Sequence, residues 1–552
     1  GDGQISASTS STGQGGNIEL RATETIDITG DGEISVKTTG AGDAGEISIE
    51  TPNLTTDKIE ITASTEAEGT GGAITAKTDT LTLDNNSQLT VKANSSGDAG
   101  DIKIETGSLT VENGAQISAQ TEASGEGGDI NISGPEKLNI TGDGQISASA
   151  SGAGQGGNID ISAPLSIDIT GNGKISVETT GAGDAGTIKI DTQNLSLQEG
   201  VSISAETNSA GKAGNIEINS PLLTIGPNTQ ISATAKKRAT NTEAGGGNIS
   251  IFSNQLDISG ELGIFAETKG EAPAGTLKLN TYNDNSDLNI NFSNNGLISA
   301  RTTSSGNGGN INLFAPETIN IIGNGKITVE TEGTGNAGQL QVNTKNLTIA
   351  EDITISASTS NSGEGGNINI NSSQTLQLDG QLLTETTSTG AGGHITVNTG
   401  ALAAENGTIS AQSTETATGK AGSIEITGQE NITTGIISSS ANNQTEIAHG
   451  NNISITSQEG EINATQPIQS FSEQGNAGNV TLKAKTNVTT NIISSHGQQQ
   501  GGQISITAET GNIDTSNGFL ANYSGGGEGG NVNIEATQGN VTSSHIYSFA
   551  DG

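Results

Sequence analysis

The chain of 552 residues has no cysteine, no methionine and no tryptophan, and its aromatic residues amount to 2%. Without cysteine there is no disulfide framework and no thiol catalysis. Three Tyr and seven Phe are too few large side chains to fill several spherical cores at native density. Proline is scarce, with 8 residues against 81 glycines. Long apolar runs are missing too, so no segment reads as a membrane-spanning helix and no insertion into a bilayer is expected. Positive charge is in short supply: 21 basic residues face 60 acidic ones, for a net charge of −39. That balance excludes sequence-independent binding to nucleic acid, which needs a basic face, and disfavours anionic lipid. It also keeps a long particle soluble and makes divalent cations natural counterions. The chain opens on GDGQIS, with neither Met nor signal peptide, and reads as an interior piece of something longer.

What remains is Ile, Leu and Val set in a repeat. A Gly-Gly or Ala-Gly pair followed by a short apolar alternation appears as GGNIEL at 15, AGEISI at 44, GGAITA at 71, AGDIKI at 99 and GGDINI at 127. It continues to GGNVNI at 529, giving nineteen copies mostly 27 to 29 residues apart. A longer period overlies it: the segment from 15 returns from 156, an offset of 141 residues, and again from 308, as if blocks of five units had been duplicated.

G-x-G-x-x-G recurs along the chain, at Gly40/Gly42/Gly45, Gly152/Gly154/Gly157, Gly181/Gly183/Gly186 and Gly333/Gly335/Gly338 for example. A dinucleotide fingerprint occurs once, after a strand and before a helix. Here every copy precedes an I-x-I alternation, which is a strand signal. These glycines are read as structural, supplying positive φ and close backbone approach at a repeating corner.

The unit 156–184 holds three alternating segments, with Ile159 and Ile161, Ile167 and Ile169, and Ile175 and Val177 pointing one way. Asp160, Asp168 and Ser176 point the other way. Three short strands per equal unit predict an all-β parallel β-helix of about 19 coils of roughly 28 residues, stable only through neighbouring coils. Each inward Ile then stacks on the next, in the column Ile18, Ile47, Ile74, Ile102, Ile130, Ile159 and Ile188. At about 4.8 Å per coil the array predicts a rod of roughly 90 Å. Residues 1–428 form the regular coils, with longer ones near 232–245 and 280–296, and 429–552 continue the helix with more divergent coils. Neither end shows a cap, so pairing with itself end to end, or with flanking coils of a longer chain, is expected.

The GGNI-x-I units, the ITGDG-x-IS segments and NITTGIISSS at 431–440 resemble the haemagglutinin-type repeats of large two-partner-secretion exoproteins, the copies in cyanobacterial surface proteins above all. The resemblance implies a right-handed β-helix, export across the outer membrane through a pore, an extracellular or cell-surface location, and a role in adhesion or surface structure. The family's N-terminal secretion domain has no counterpart here.

No catalytic, cofactor-binding or metal-ligating residue stands out. The corner before the third strand collects acids and amides, from Asp31, Asp57, Asn86, Asn113, Asp143 and Asn172 through Glu199 and Asn228 to Asp379 and Asn406. They read first as turn formers that tolerate the left-handed region, and second as a ladder binding Ca²⁺ weakly. The long coils carry Lys236, Lys237 and Arg238, and Tyr282 and Phe292, read as surface insertions. His394, His449, His496 and His545 are far apart and match no metal motif. Glycosidases need two carboxylates at a set separation, and no unique pair breaks the monotony. Aromatic platforms for sugars look absent. The sequence therefore predicts a non-enzymatic structural and adhesive segment, with surface polysaccharide or another cell as partner. A carbohydrate-binding or carbohydrate-processing β-helix is the alternative.

Overall fold

The computed structural model describes residues 3–236, 245–283 and 285–550. These residues form strands and turns and contain no helix. About nineteen turns at roughly 28-residue spacing stack as a parallel β-solenoid. By contact they divide into two compact units, Gly1–Asn283 and Asp284–Gly552.

The coil at 156–184 shows how the sequence dictates the turn. Its strands Ile159–Ala163, Ser166–Thr170 and Lys174–Thr179 coincide with the three alternating segments. All six inward Ile and Val side chains are at most 1% exposed. β-Branched side chains have stiff χ1 angles and suit a pleated surface, so they order here at little entropic cost. Ile159 lies opposite Ile188 and Ile161 opposite Ile190 on the next coil, while Ile175 faces Ile203. The whole expected column from Ile18 to Ile188 is paired in register.

Three details depart from the expected pattern. Ser176, placed on the polar face by alternation, is only 3% exposed. Lys174 and Glu178 close over it with an ion pair of 2.8 Å, so the third strand is covered on both sides. Neighbouring strands fuse in both units, as in Ile74–Asp84, Thr318–Thr328 and the sixteen-residue Ile395–Ser410. Beyond 429 some strands shorten to two residues, Ile468–Gln469 and Ile493–Ser494.

The glycines of the G-x-G-x-x-G corners serve close approach alone. None has a positive φ, which corrects half of the sequence reading. A Cβ on Gly154 would stand 1.7 Å from the carbonyl oxygen of Gly125, and one on Gly183 would stand 1.9 Å from that of Gly154. Coils pass too near for any side chain. Positive φ belongs instead to the corner before the third strand, at Gly171 (62°) and Asn172 (65°) for example.

The long coil near 280–296 is not a projecting loop. Phe292 is 4% exposed inside the strand Asp287–Ser299, and a Cβ on Gly325 would lie 2.3 Å from its ring. The extra residues place a ring over a glycine of the following coil, where a surface insertion was expected. Tyr282 is half-buried, its backbone N–H donating to Asn254 Oδ1 at 3.1 Å. Lys236 pairs with Glu206 at 2.6 Å. Lys237 and Arg238 lie outside the described residues.

Candidate functional site

The acid-and-amide corner is built as a turn former. Asn86, Asn113, Asn172, Glu199, Asn228 and Asn295 occupy the left-handed region, with φ between 52° and 65°, whereas Asp31, Asp57, Asp143, Asp379 and Asn406 do not. Neighbouring carboxylates are engaged by amides from the next coil: Asn113 Nδ2 donates to Asp84 Oδ1 at 2.7 Å, and Asn85 Nδ2 donates to Asp57 Oδ1 at 3.0 Å. Looser contacts join Asn172 to Asp143 and Asn406 to Asp379, both at 3.4 Å. At the glycine corner, carboxylates cap backbone N–H groups of the following coil, Asp98 accepting from Glu126 at 2.7 Å and Asp129 from Asn158 at 2.8 Å. A backbone N–H donated by Thr70 likewise holds the Asp43 carboxyl below its ordinary pKa. Among the described residues no group of three or more His, Asp or Glu is placed to hold a metal ion. Because amides already engage these carboxylates, calcium raised to a few millimolar is expected to leave the melting temperature unchanged. A rise on titration would show that the ladder takes the ion.

On the third strands, buried hydroxyls meet carboxylates of the preceding coil. Ser204 donates to Glu178 at 2.9 Å and Ser232 to Glu206 at 2.6 Å. Burial works against the charge on Glu178, but Lys174 and Ser204 outweigh it and leave the carboxyl below its ordinary value. This row of acids is tied into the stack.

The first-strand face differs between the two units. In Gly1–Asn283 most coils carry charge there, as with Glu19 and Arg21, Lys103 and Glu105, or Lys189 and Asp191, the coil with Ser250 and Phe252 being an exception. In the second unit four successive coils present no charge there. The strands begin at Asn310, Gln339, Asn367 and Ile395. One outward column runs Asn310, Gln339, Asn367, followed by His394. The next runs Asn312, Gln341, Asn369 and Thr396, and the last Phe314, Asn343, Asn371 and Asn398. Charge returns at Glu425, opposite Thr396.

The last column borders a groove of about 660 Å³, lined also by Pro316, Lys345, Ser373 and Gln429. Phe314, at its head, is 48% exposed. Asn371 Nδ2 donates to Asn343 Oδ1 at 3.0 Å, and Asn398 Nδ2 donates to Asn371 Oδ1 at 3.1 Å. The one basic group at the groove, Lys345, pairs with Glu317.

Aromatic side chains are also less dispersed than composition indicated, although the clustered rings cover one another instead of forming an open platform for a sugar. Phe471, His496, Tyr523 and Phe549 stack at centroid separations of 5.3, 4.3 and 5.2 Å, with ring planes within 11° of parallel. Inner rings cover one another's faces, so this column stabilises successive coils. Its signal lay in the segments SFSEQ, SSHGQ and ANYSG, where ring type changes but position does not. Burial holds the His496 imidazole below its ordinary pKa, opposed by Glu473. The unfolded chain therefore takes up the proton first, so the stability contributed here is complete above about pH 6.5 and lost as pH falls through the depressed folded value. His496→Phe is expected to flatten the decline in melting temperature between about pH 7.5 and pH 5; a slope equal to that of the parent would show that the ring does not titrate against the fold. The other histidines stand apart: His394 contacts Ser423 Oγ at 2.6 Å, His449 accepts from the Asn476 N–H at 3.0 Å, and His545 stacks on Tyr547.

Compared with protein-family models, curated proteins and solved structures, the chain finds no match.

Proposed function

We propose that the chain is a structural and adhesive segment of a secreted surface protein, working outside the cell and without catalysis. The carrying observation is in-register stacking within each unit, which turns outward positions into columns of repeated chemistry. Such a surface offers the same contact many times at fixed spacing, and multiplicity converts weak single contacts into firm attachment. The dense negative charge keeps the surface from collapsing on itself or on nucleic acid. Its partners in this reading are surface polysaccharide or another cell, together with flanking coils of the same kind.

Antibodies raised against the purified chain are expected to label intact source cells, and beads coated with the chain to attach to them. Labelling that needs permeabilised cells would overturn the location, and beads that stay free would overturn the adhesive role. The carbohydrate-binding alternative is favoured by one specific feature, the carboxylate-free groove beside Phe314.

A further inference from the structure

We infer that the groove bordered by Phe314, Asn343, Asn371 and Asn398 is a binding site for an uncharged polysaccharide lying along the solenoid axis. This deepens the adhesive reading by naming what the surface holds.

The groove's lining contains no carboxylate, in a chain with 60 acidic residues. A charged ligand has no matching partner there: Lys345 is committed to Glu317, and the surrounding field repels anions. Phe314 presents half its surface to solvent in a chain with only seven Phe. The negative face of its ring suits the weakly positive C–H groups of a sugar.

The amide ladder supplies the polar half of the recognition. A side-chain amide has two donor hydrogens and two acceptor lone pairs. Asn371 uses one donor toward Asn343 and one lone pair toward Asn398, which leaves one donor and one acceptor for a ligand. A hydroxyl, itself donor and acceptor, completes that pair. The ladder repeats at one coil, about 4.8 Å, so the fitting ligand is a chain of hydroxyl-bearing units in line with the axis. An extended peptide fits less well. The first strands at Gln339, Asn367 and Ile395 are paired on both sides, so no edge is open for strand addition.

The experiment titrates the full chain with neutral hexasaccharides of glucose and mannose, with polygalacturonate as the anionic probe and an extended-peptide library as competitor, read by calorimetry. At least one neutral probe is expected to bind. Phe314→Ala, and separately the double variant Asn343→Ala/Asn371→Ala, should each weaken it at least about tenfold. Phe252→Ala, in the other unit, should leave it unchanged, and circular dichroism of all variants should match the parent. The site is overturned if no neutral probe binds below about 10 mM, if binding survives both groove variants undiminished, or if polygalacturonate or peptides bind in place of neutral sugars. Beads that adhere to cells while no neutral sugar binds would remove the site and leave the adhesive reading intact. Neutral sugars that bind while beads stay free would do the reverse.

Discussion

Replacing Ile161 by aspartate is expected to abolish cooperative unfolding of the unit Gly1–Asn283. Ile161 is fully buried between Ile132 and Ile190 of the adjacent coils. The substitution removes a packed aliphatic side chain, worth about 2–5 kcal/mol on truncation. It also buries a carboxylate with no partner, at several kcal/mol more. A coil has no stability of its own, so damage at one level breaks the array into two weaker halves. Urea unfolding followed by circular dichroism should show an early, broadened transition. Neutralising the intruding carboxyl with acid should restore part of the loss, because burial raises its pKa above the unfolded value. Asp160→Asn, one residue away on the exposed face, should shift stability by no more than about 0.5 kcal/mol. If Ile161→Asp unfolds like the parent, the inward column does not hold the coils together.

Gly154→Ala is expected to be nearly as damaging, although it adds a single methyl. The new Cβ would stand 1.7 Å from one backbone oxygen and 2.5 Å from its carbon. Backbone cannot turn aside as a side-chain tip can, so two coils must separate and lose their hydrogen bonds. A loss above about 4 kcal/mol is expected, far beyond an ordinary surface substitution. Gly526→Ala is the control, its nearest neighbour being 3.8 Å from the added carbon. A loss below about 1 kcal/mol for Gly154→Ala would mean that the corner opens freely and that close approach is not what the glycines supply.

The period, the three strands and the inward Ile columns were legible because they follow from local alternation repeated at a constant interval. What the sequence hid depends on register between coils. Ser176 alternates as an outward residue, and only the Lys174–Glu178 bridge above it explains its burial. The glycines of the G-x-G-x-x-G segments looked like turn formers, whereas a carbonyl some 29 residues away excludes a side chain at Gly154. Phe292 read as part of an insertion because its seat, Gly325, lies in the next coil. The groove follows the same rule. NINLF, QLQVN, NININ and HITVN are all visible as text, but Phe314, Asn343, Asn371 and Asn398 become one column only after the strands are paired. The stacked rings from Phe471 to Phe549 were hidden because Phe, His and Tyr share a position without sharing an identity.

Stacking in register also decides how either unit yields to load. The ladder hydrogen bonds run from coil to coil, so tension on a free coil strips it from its neighbour without straining the rest. Each release would pay out a loop of roughly 28 residues, or about 95 Å of slack at 3.4 Å per residue. A surface bond strung on such a chain is shielded from sudden tugs, because the tether lengthens in small equal steps before the grip at its end is tested.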